Sequence, residues 1–433
     1  GGYAVSILPF LCKKRRRQGE NLPLVQKKEV FFMKKVLAWG LALMMAGSLV
    51  GCSQSDSGST SAAATEGGSE AASVSADAAS GDVFTLGLIA PLSGSSAVSG
   101  QILQNATEMA VNEINEAGGI NGEIQINLVP VDDEGVPANS VTAMQRLVEQ
   151  DQVNAVIGSQ PSSCTMANME ITQAAKILQI TPASSNPGVT ESGNPFIYQM
   201  TATDELHMRN VMQYMAEENG AKTFAILYES SDFGTGGYRI AGELCGEFGL
   251  EMVANEVYNA GDTDFSVALS NMQSANPDFL IFWGYHTEVA MICNQMVQYG
   301  IDIPVIGQGY NSPELTNLGG AAVNGIMIST AFDAANPDEK VQEFDQKYTE
   351  LYGGGYDQNA PQSYDAVYVI KDAVERCIAD GKDWTDGETL NSYISSTNWD
   401  GVTGVTTFDE TGRMDKELLI IQIEDGEHVI IKG

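Results

Sequence analysis

The chain has 433 residues, 43% of them hydrophobic, and 56 acidic against 22 basic side chains give a formal net charge of −34. So acidic a surface repels nucleic acid and anionic lipid, which sets both aside as partners, and it favours solubility. Three histidines and six widely spaced cysteines fit no zinc pattern, and no motif asks for a cofactor.

Residues 1–32 contain no methionine, carry the basic run Lys13-Lys14-Arg15-Arg16-Arg17 and lack sustained periodicity, so they are not counted as fold. Met33-Lys34-Lys35 followed by the apolar run Val36 to Val50 has the basic start, apolar middle and small residues of an export signal, and translation is expected to begin at Met33. Removing residues 1–51, which hold 9 of the 22 basic and 2 of the 56 acidic residues, takes the net charge to −41. Ser53 to Asp82 is a tract of Ser, Ala, Gly and acidic residues that cannot bury enough apolar surface to offset its ordering entropy. It is expected to be a flexible tether spanning on the order of 30 Å. The remaining body, about 350 residues, is long enough for two domains.

Within that body strands and helices alternate. Phe84 to Ala90 reads as a strand, and Ile102, Leu103, Ala106, Met109, Ala110, Ile114 and Ala117 mark a helix closed by Gly118-Gly119. Ile124, Ile126 and Leu128 alternate as a strand ending at Asp132-Asp133, and Val141, Met144 and Val148 mark the next helix. Val153 to Ile157 is a buried strand, Gly158 opens a turn, and Pro161, Ser162 and Ser163 start a helix. Ala167, Ile171, Ala174, Ala175 and Leu178 are predicted to form that helix's buried face, with the stop at Thr181-Pro182, while Ile180 to Ser185 ends a short strand in small residues. The pattern then repeats. Strands are predicted at Thr223 to Tyr228, Met252 to Val257, Asp278 to Trp283, Pro304 to Ile306 and Gly325 to Thr330. Helices are predicted at Gly237 to Phe248, Phe265 to Met272, Val289 to Tyr299, Val341 to Tyr352 and Tyr364 to Ala379. Val405 to Phe408, a turn at Asp409 to Gly412 and Leu418 to Ile423 close the sequence. The fold class is α/β: two doubly wound lobes, each a largely parallel sheet with helices on both faces.

Ligands on such sheets sit outside the carboxyl ends of the strands, so a cleft between two facing lobes collects loops from both. Those loops are Pro91 to Gly100, Ser159 to Ser163 and Ala183 to Ser185 from the first lobe, and Glu229 to Gly234, Gly284 to Thr287 and Gly307 to Asn311 from the second. A helix start at Ser162 rich in hydroxyls and free N–H groups is a ready anion site that needs no lysine or arginine. The bland alternative is an ordinary crossover with a serine cap. Phe233 and Tyr285, at strand ends, read as cleft walls, whereas Tyr310 is open between wall and core. Asp132-Asp133 reads as a hinge turn or solvated pair, Asp365 as a structural tie, His286 as a polar loop residue and Gly234-Thr235-Gly236-Gly237 as a flexible helix start. Cys164, Cys245, Cys293 and Cys377 are expected to be single buried thiols. Cys164 or a cleft serine would need a base to act as a nucleophile, and no histidine lies in the first-lobe loops, so the chain is not expected to be an enzyme.

Leu49-Val50-Gly51-Cys52 resembles the lipobox of bacterial lipoproteins, which implies a lipidated Cys52 and an extracytoplasmic, membrane-anchored body. Pro91-Leu92-Ser93-Gly94, Gly118-Gly119-Ile120-Asn121-Gly122, Val156-Ile157-Gly158, Ile180-Thr181-Pro182-Ala183, Asp232-Phe233-Gly234, Trp283-Gly284-Tyr285 and Ser363-Tyr364-Asp365-Ala366-Val367 resemble landmarks of the leucine/isoleucine/valine-type solute-binding proteins. That resemblance, in order over Val83 to Gly433, implies the type I periplasmic-binding-protein fold, a role as monomeric receptor of an ABC permease, and a small amino acid-like ligand. It implies three crossings between lobes, near 203, 330 and 414, giving a first lobe of 83–203 and 331–414 and a second of 204–330 and 415–433. It also implies the ligand contacts. Ser162 and Ser185, with neighbouring Ser184, match the carboxylate site; the Ala183 carbonyl and Tyr285 match the ammonium site; Phe233 closes over the ligand. Two positions depart from the family. Ser99 stands where an aromatic commonly precedes Gly100, and Gln308, Gly309 and Asn311 stand where an acidic residue commonly completes the ammonium site. Either Asp232 or Glu229 supplies that charge, or the ligand has no ammonium and Gln308 meets an amide or hydroxyl instead. The competing class is a tethered sensor for an amide or aromatic acid that signals to a membrane receptor.

Overall fold

The computed structural model describes residues 82–414 and 416–432. The export signal, Cys52 and the tether as far as Gly81 lie outside the described residues.

The first half runs β1 (Val83–Ala90), α1 (Ala97–Glu116), β2 (Gln125–Asp132), α2 (Pro137–Glu149), β3 (Ala155–Gly158), α3 (Ser162–Ala175), β4 (Leu178–Thr181), α4 (Gly188–Glu191) and β5 (Ile197–Gln199). Its five strands are parallel, in the order β2-β1-β3-β4-β5. Both faces are covered, and the two-residue period of the strands says how. Leu86, Leu88, Ile157 and Ile180 point into one core, while Ile89 and Val156 point into another with Met144 and Leu147 of α2.

The chain continues through α5 (Asp204–Gln213), β6 (Thr223–Glu229), α6 (Asp232–Leu244), β7 (Glu251–Tyr258), α7 (Ser266–Ala275), β8 (Phe279–Trp283), α8 (His286–Tyr299), β9 (Val305–Gln308), α9 (Pro313–Gly319) and β10 (Met327–Thr330). The second sheet has the order β14-β13-β10-β9-β8-β6-β7, where β13 (Leu419–Glu424) and β14 (Glu427–Lys432) are antiparallel additions. Leu280 and Phe282 pack against α7 and α8, and Phe279, Ile281 and Trp283 against α5 and α6. Between β10 and β13 lie α10 (Glu339–Tyr352), α11 (Asn359–Ala379), α12 (Gly387–Ile394), β11 (Trp399–Gly401) and β12 (Gly404–Thr406). Val367, Ile370 and Val374 of α11 and Leu390 of α12 join the core of the first sheet, so the chain returns to the first half before it ends in the second.

In both sheets the order reverses beside the first strand: β1 lies between β2 and β3, and β6 between β7 and β8. The crevice at the carboxyl ends of such a pair is where ligands of doubly wound sheets bind. The loops after β1 and β3, and after β6 and β8, therefore set the place of the site.

The largest departure from the sequence reading is at α3. It ends at Lys176, whose φ of 56° is left-handed, and Leu178 belongs to β4. Ala174 and Ala175 are exposed, and the buried face is instead Ser162, Cys164, Thr165, Asn168, Met169 and Thr172. A polar face is stable there because its groups are paired: Gln179 of β4 donates to Asn168 Oδ1 (2.9 Å), Asn168 donates to Ser140 (2.9 Å), and Thr172 donates to Gln179 Oε1 (3.0 Å). Other helices start earlier than their apolar periodicity indicates, α6 at Asp232 and α11 at Asn359. Gly234 to Gly237 thus lie inside a helix. Tyr310 is core, fully buried with its hydroxyl donating to the Met327 carbonyl at 2.9 Å. Cys164, Cys293 and Cys377 are buried free thiols, and Cys245 is a partly exposed one.

Asp365 of α11 accepts from the N–H groups of Val402 (3.0 Å) and Thr403 (2.8 Å) and from the Thr403 hydroxyl (2.7 Å), and thereby pins the β11–β12 turn. Asp365→Ala removes three bonds to a buried charge and is expected to cost about 3 kcal/mol in urea unfolding. A loss below about 1 kcal/mol would show that the turn is held otherwise.

Candidate functional site

Both switch-point crevices open on one cavity, in which the space open to the centre of a water-sized sphere is about 40 Å³. Of the residues expected from sequence, Ser99, Ser162, Ala183, Ser185, Phe233, Tyr285 and Gln308 line it. Ser184 does not. Its hydroxyl turns inward to Thr165 Oγ1 (2.8 Å) and the carbonyls of Ser159 and Gln160 (3.2 Å each), and its N–H donates to Thr181 (3.0 Å). Ser184 is one knot of a buried hydroxyl net that holds the β3–α3 loop rather than a ligand contact.

That loop is built for close approach. Gly158 ends β3 at φ 115°, and a Cβ there would lie 2.0 Å from the Ile89 carbonyl oxygen, so glycine alone fits. Beyond it Ser159 is tied by Thr165 and Thr181 and donates its hydroxyl to Asp133, which makes Asp133 a loop anchor. Asp132 likewise accepts from the N–H groups of Leu92 (2.8 Å) and Glu134 (2.8 Å). The helix that follows starts without a side-chain cap: Pro161 occupies the cap position and cannot provide one. The first intrahelical bonds run from Cys164 (3.0 Å) and Thr165 (3.1 Å) to the Pro161 carbonyl, which leaves the N–H groups of Ser162 and Ser163 ahead of the ladder. Because neither serine is spent on capping, the positive end of α3 and the Ser162 hydroxyl face the cavity together.

From the second half, Ser231 caps α6, accepting from Gly234 N–H (3.4 Å), and so sets Phe233 in the first turn. The Phe233 ring centre lies 5.3 Å from that of Tyr285 and 6.0 Å from that of Trp283. Gly309, at φ 96°, passes so near that a Cβ would sit 2.6 Å from the Phe233 ring. Phe233 is at once cavity wall and core, being 3% exposed. The halves touch where Asn186 Nδ2 donates to the Asp232 carbonyl at 2.6 Å.

Gln160 and His286, from two of the expected cleft loops, also line the cavity, and so do residues that sequence reasoning missed: Ser312, Ser329, Asp357, Gln358 and Asn359. Asp357 matters most. It accepts from the N–H (2.9 Å) and the amide (3.2 Å) of Asn359, and burial pushes its carboxyl up to about 7. Glu229 and Asp232, the two acids considered for the ammonium, line an adjoining outer cleft with Glu134 and Glu288 instead. Gln358 Oε1 accepts from Thr330 Oγ1 (3.0 Å) and Ala331 N–H (2.8 Å), tying the start of α11 to the end of β10.

Ser329 meets His207 Nδ1 at 3.0 Å, the one serine–histidine pair at the cavity among the described residues. Burial pushes that imidazole down to about 3, and its Nε2 has no partner, so the base is weak and unoriented. Burial raises the Cys164 thiol well above its ordinary range.

Asp204, at the start of α5, is fully buried, and neither carboxylate oxygen has a well-aligned hydrogen-bond partner among the described residues. Burial raises it to about 7, drawn back in part by the nearby donors of Ser185 and Trp283 and by the charge of Arg239. A native pKa above the ordinary 3.8 means that the folded protein keeps a proton that the unfolded chain has released between about pH 4 and 7, so stability falls as pH rises through that window. Asp204→Asn is expected to flatten this fall, leaving the part due to Asp357, and to raise the melting midpoint at pH 8 by roughly 2 °C or more. An unchanged pH profile would mean that Asp204 is charged and solvated in the native state.

A profile described as periplasmic binding protein matches residues 83–427, and the chain belongs to that family of solute receptors, which are not enzymes. It is 29% identical over 336 residues, 76% of this chain and 87% of the relative, to the leucine-, isoleucine-, valine-, threonine- and alanine-binding protein of Pseudomonas aeruginosa. Among solved structures, a leucine-binding protein of Thermotoga maritima superposes with a TM-score of 0.74 at 27% identity, covering 80% of this chain and 97% of that one. A branched-chain amino acid transporter substrate-binding protein of Streptococcus pneumoniae, in complex with isoleucine, gives 0.74 at 28% identity, with 81% and 100% covered. The type I periplasmic-binding-protein fold expected from the landmarks is thereby established.

Proposed function

We propose that this chain is the extracytoplasmic solute-binding receptor of an ABC importer, and that its ligand is a small amino acid held between two closing lobes. The observation that carries the proposal is the uncapped start of α3, with Ser162 and Ser185, in one cavity with Tyr285 and Asp357. The ligand carboxylate takes the N–H groups and hydroxyls of the α3 side, where a helix N-terminus stabilises an anion without a cationic side chain. Its ammonium takes the Ala183 carbonyl, the Tyr285 oxygen and Asp357, whose burial without a cation is what a zwitterion relieves. Each charge-assisted bond is worth roughly 1.5 to 3 kcal/mol. Three or four of them, less the cost of closure, leave room for about 8 kcal/mol, which corresponds to micromolar affinity.

The first lobe is 83–203 with 331–414 and the second is 204–330 with 415–433, and closure turns about the three crossings between them. Lipidation of Cys52 and the tether hold the monomeric receptor beside the permease that reads the closed form. The likeness to receptors of branched-chain amino acids supports the transport reading over a sensor.

Ser162→Ala combined with Ser185→Ala is expected to weaken amino acid binding at least tenfold in titration calorimetry, with the melting curve preserved. Unchanged affinity would remove the anion site. Asp357→Asn is expected to weaken binding of a zwitterion while sparing the matching ammonium-free acid, and equal loss for both would take Asp357 out of the ammonium site.

A further inference from the structure

We infer that the amino acid taken by this cavity carries a side chain that donates hydrogen bonds, a carboxamide or a hydroxyl, and not a branched aliphatic one. The inference rests on the reading of the cavity as an amino acid site and concerns the rest of its wall. Among the described residues no leucine, isoleucine, valine or methionine lines the cavity, and its carbon surface comes largely from Ala183, Phe233 and Tyr285. Elsewhere the wall is hydroxyl and amide. Ser99 is 4% exposed at the start of α1, and Gln160 and Gln308 are 7% and 5% exposed.

The two glutamines decide the chemistry. Each has its amide oxygen buried with no hydrogen-bond partner among the described residues, although most other buried amides, such as Gln179 and Gln199 but not Gln362, are paired. The unpaired atom of each amide is its acceptor oxygen, so the group that satisfies it must be a hydrogen-bond donor. An aliphatic branch has none to give. Packed against it, each amide stays desolvated and unpaired, which lowers affinity by roughly tenfold to a hundredfold per group. Gln308 ends β9 and Gln160 follows β3, so the polar wall comes from both halves and is completed only when they meet.

The test is titration calorimetry of the mature, signal-free protein with asparagine, glutamine, serine and threonine against leucine, isoleucine and valine. At least one polar amino acid is expected to bind tenfold or more tightly than any of the three aliphatic ones. Gln308→Leu is expected to reduce that preference at least tenfold, with circular dichroism melting to check the fold, and Gln160→Leu serves as the second variant. Tighter binding of leucine, isoleucine or valine by the unmodified protein overturns the inference and leaves the amino acid reading intact. Binding of no amino acid at all overturns both.

Discussion

Helix α3 begins after Pro161, which cannot cap it, and its first residue, Ser162, lines the cavity between the two halves. Orphan donors at a buried helix end are costly unless something accepts from them. Among the described residues no side chain accepts from the N–H groups of Ser162 and Ser163, while the Ser162 hydroxyl accepts from Asn186 N–H (3.3 Å) and lines the cavity with Ser185. Much of the neighbouring structure serves to hold this end in place. Gly158 lets β3 run against the Ile89 carbonyl, and the net of Asp133, Ser159, Thr165, Thr181 and Ser184 fixes the turn between strand and helix.

On the proposed reading the cavity suits a ligand that carries both signs. Among the described residues its lining holds no lysine or arginine, and the chain is strongly acidic. A simple anion would gain the helix end but approach Asp357, and a simple cation would gain Asp357 but meet the positive end of α3. A zwitterion would satisfy both poles at once, and burial, which raises the Asp357 carboxyl, is the cost that the proposed ammonium would relieve. The unpartnered carboxyl of Asp204, beside Ser185 and Trp283, adds a second buried acid whose protonation belongs to the folded state rather than to the ligand.

Sheet membership was legible because buried strands such as Leu86 to Ile89 and Phe279 to Trp283 are continuous apolar runs broken by turn residues, and nothing else competes for them. The cavity loops were legible for the same reason: each follows a strand end. The buried face of α3 was not, because it is polar, and hydrophobic periodicity is blind to a face held by Thr165, Asn168 and Thr172 through paired hydroxyls and amides. The inward turn of Ser184 was not legible, because a hydroxyl next to Ser185 gives no sign of which way it points. Asp357 was missed because the apolar pattern places the α11 start at Tyr364. Pro361, a residue favoured in the first turn of a helix, was the signal that α11 begins just after Asp357.

The most direct measurement is a crystal structure of the mature protein with its tightest-binding amino acid. The expected result is a carboxylate within hydrogen-bonding distance of the Ser162 hydroxyl and the first N–H groups of α3, with the ammonium turned toward Tyr285 and Asp357. A ligand bound outside this cavity, or lying in it with its carboxylate away from α3, would contradict the account.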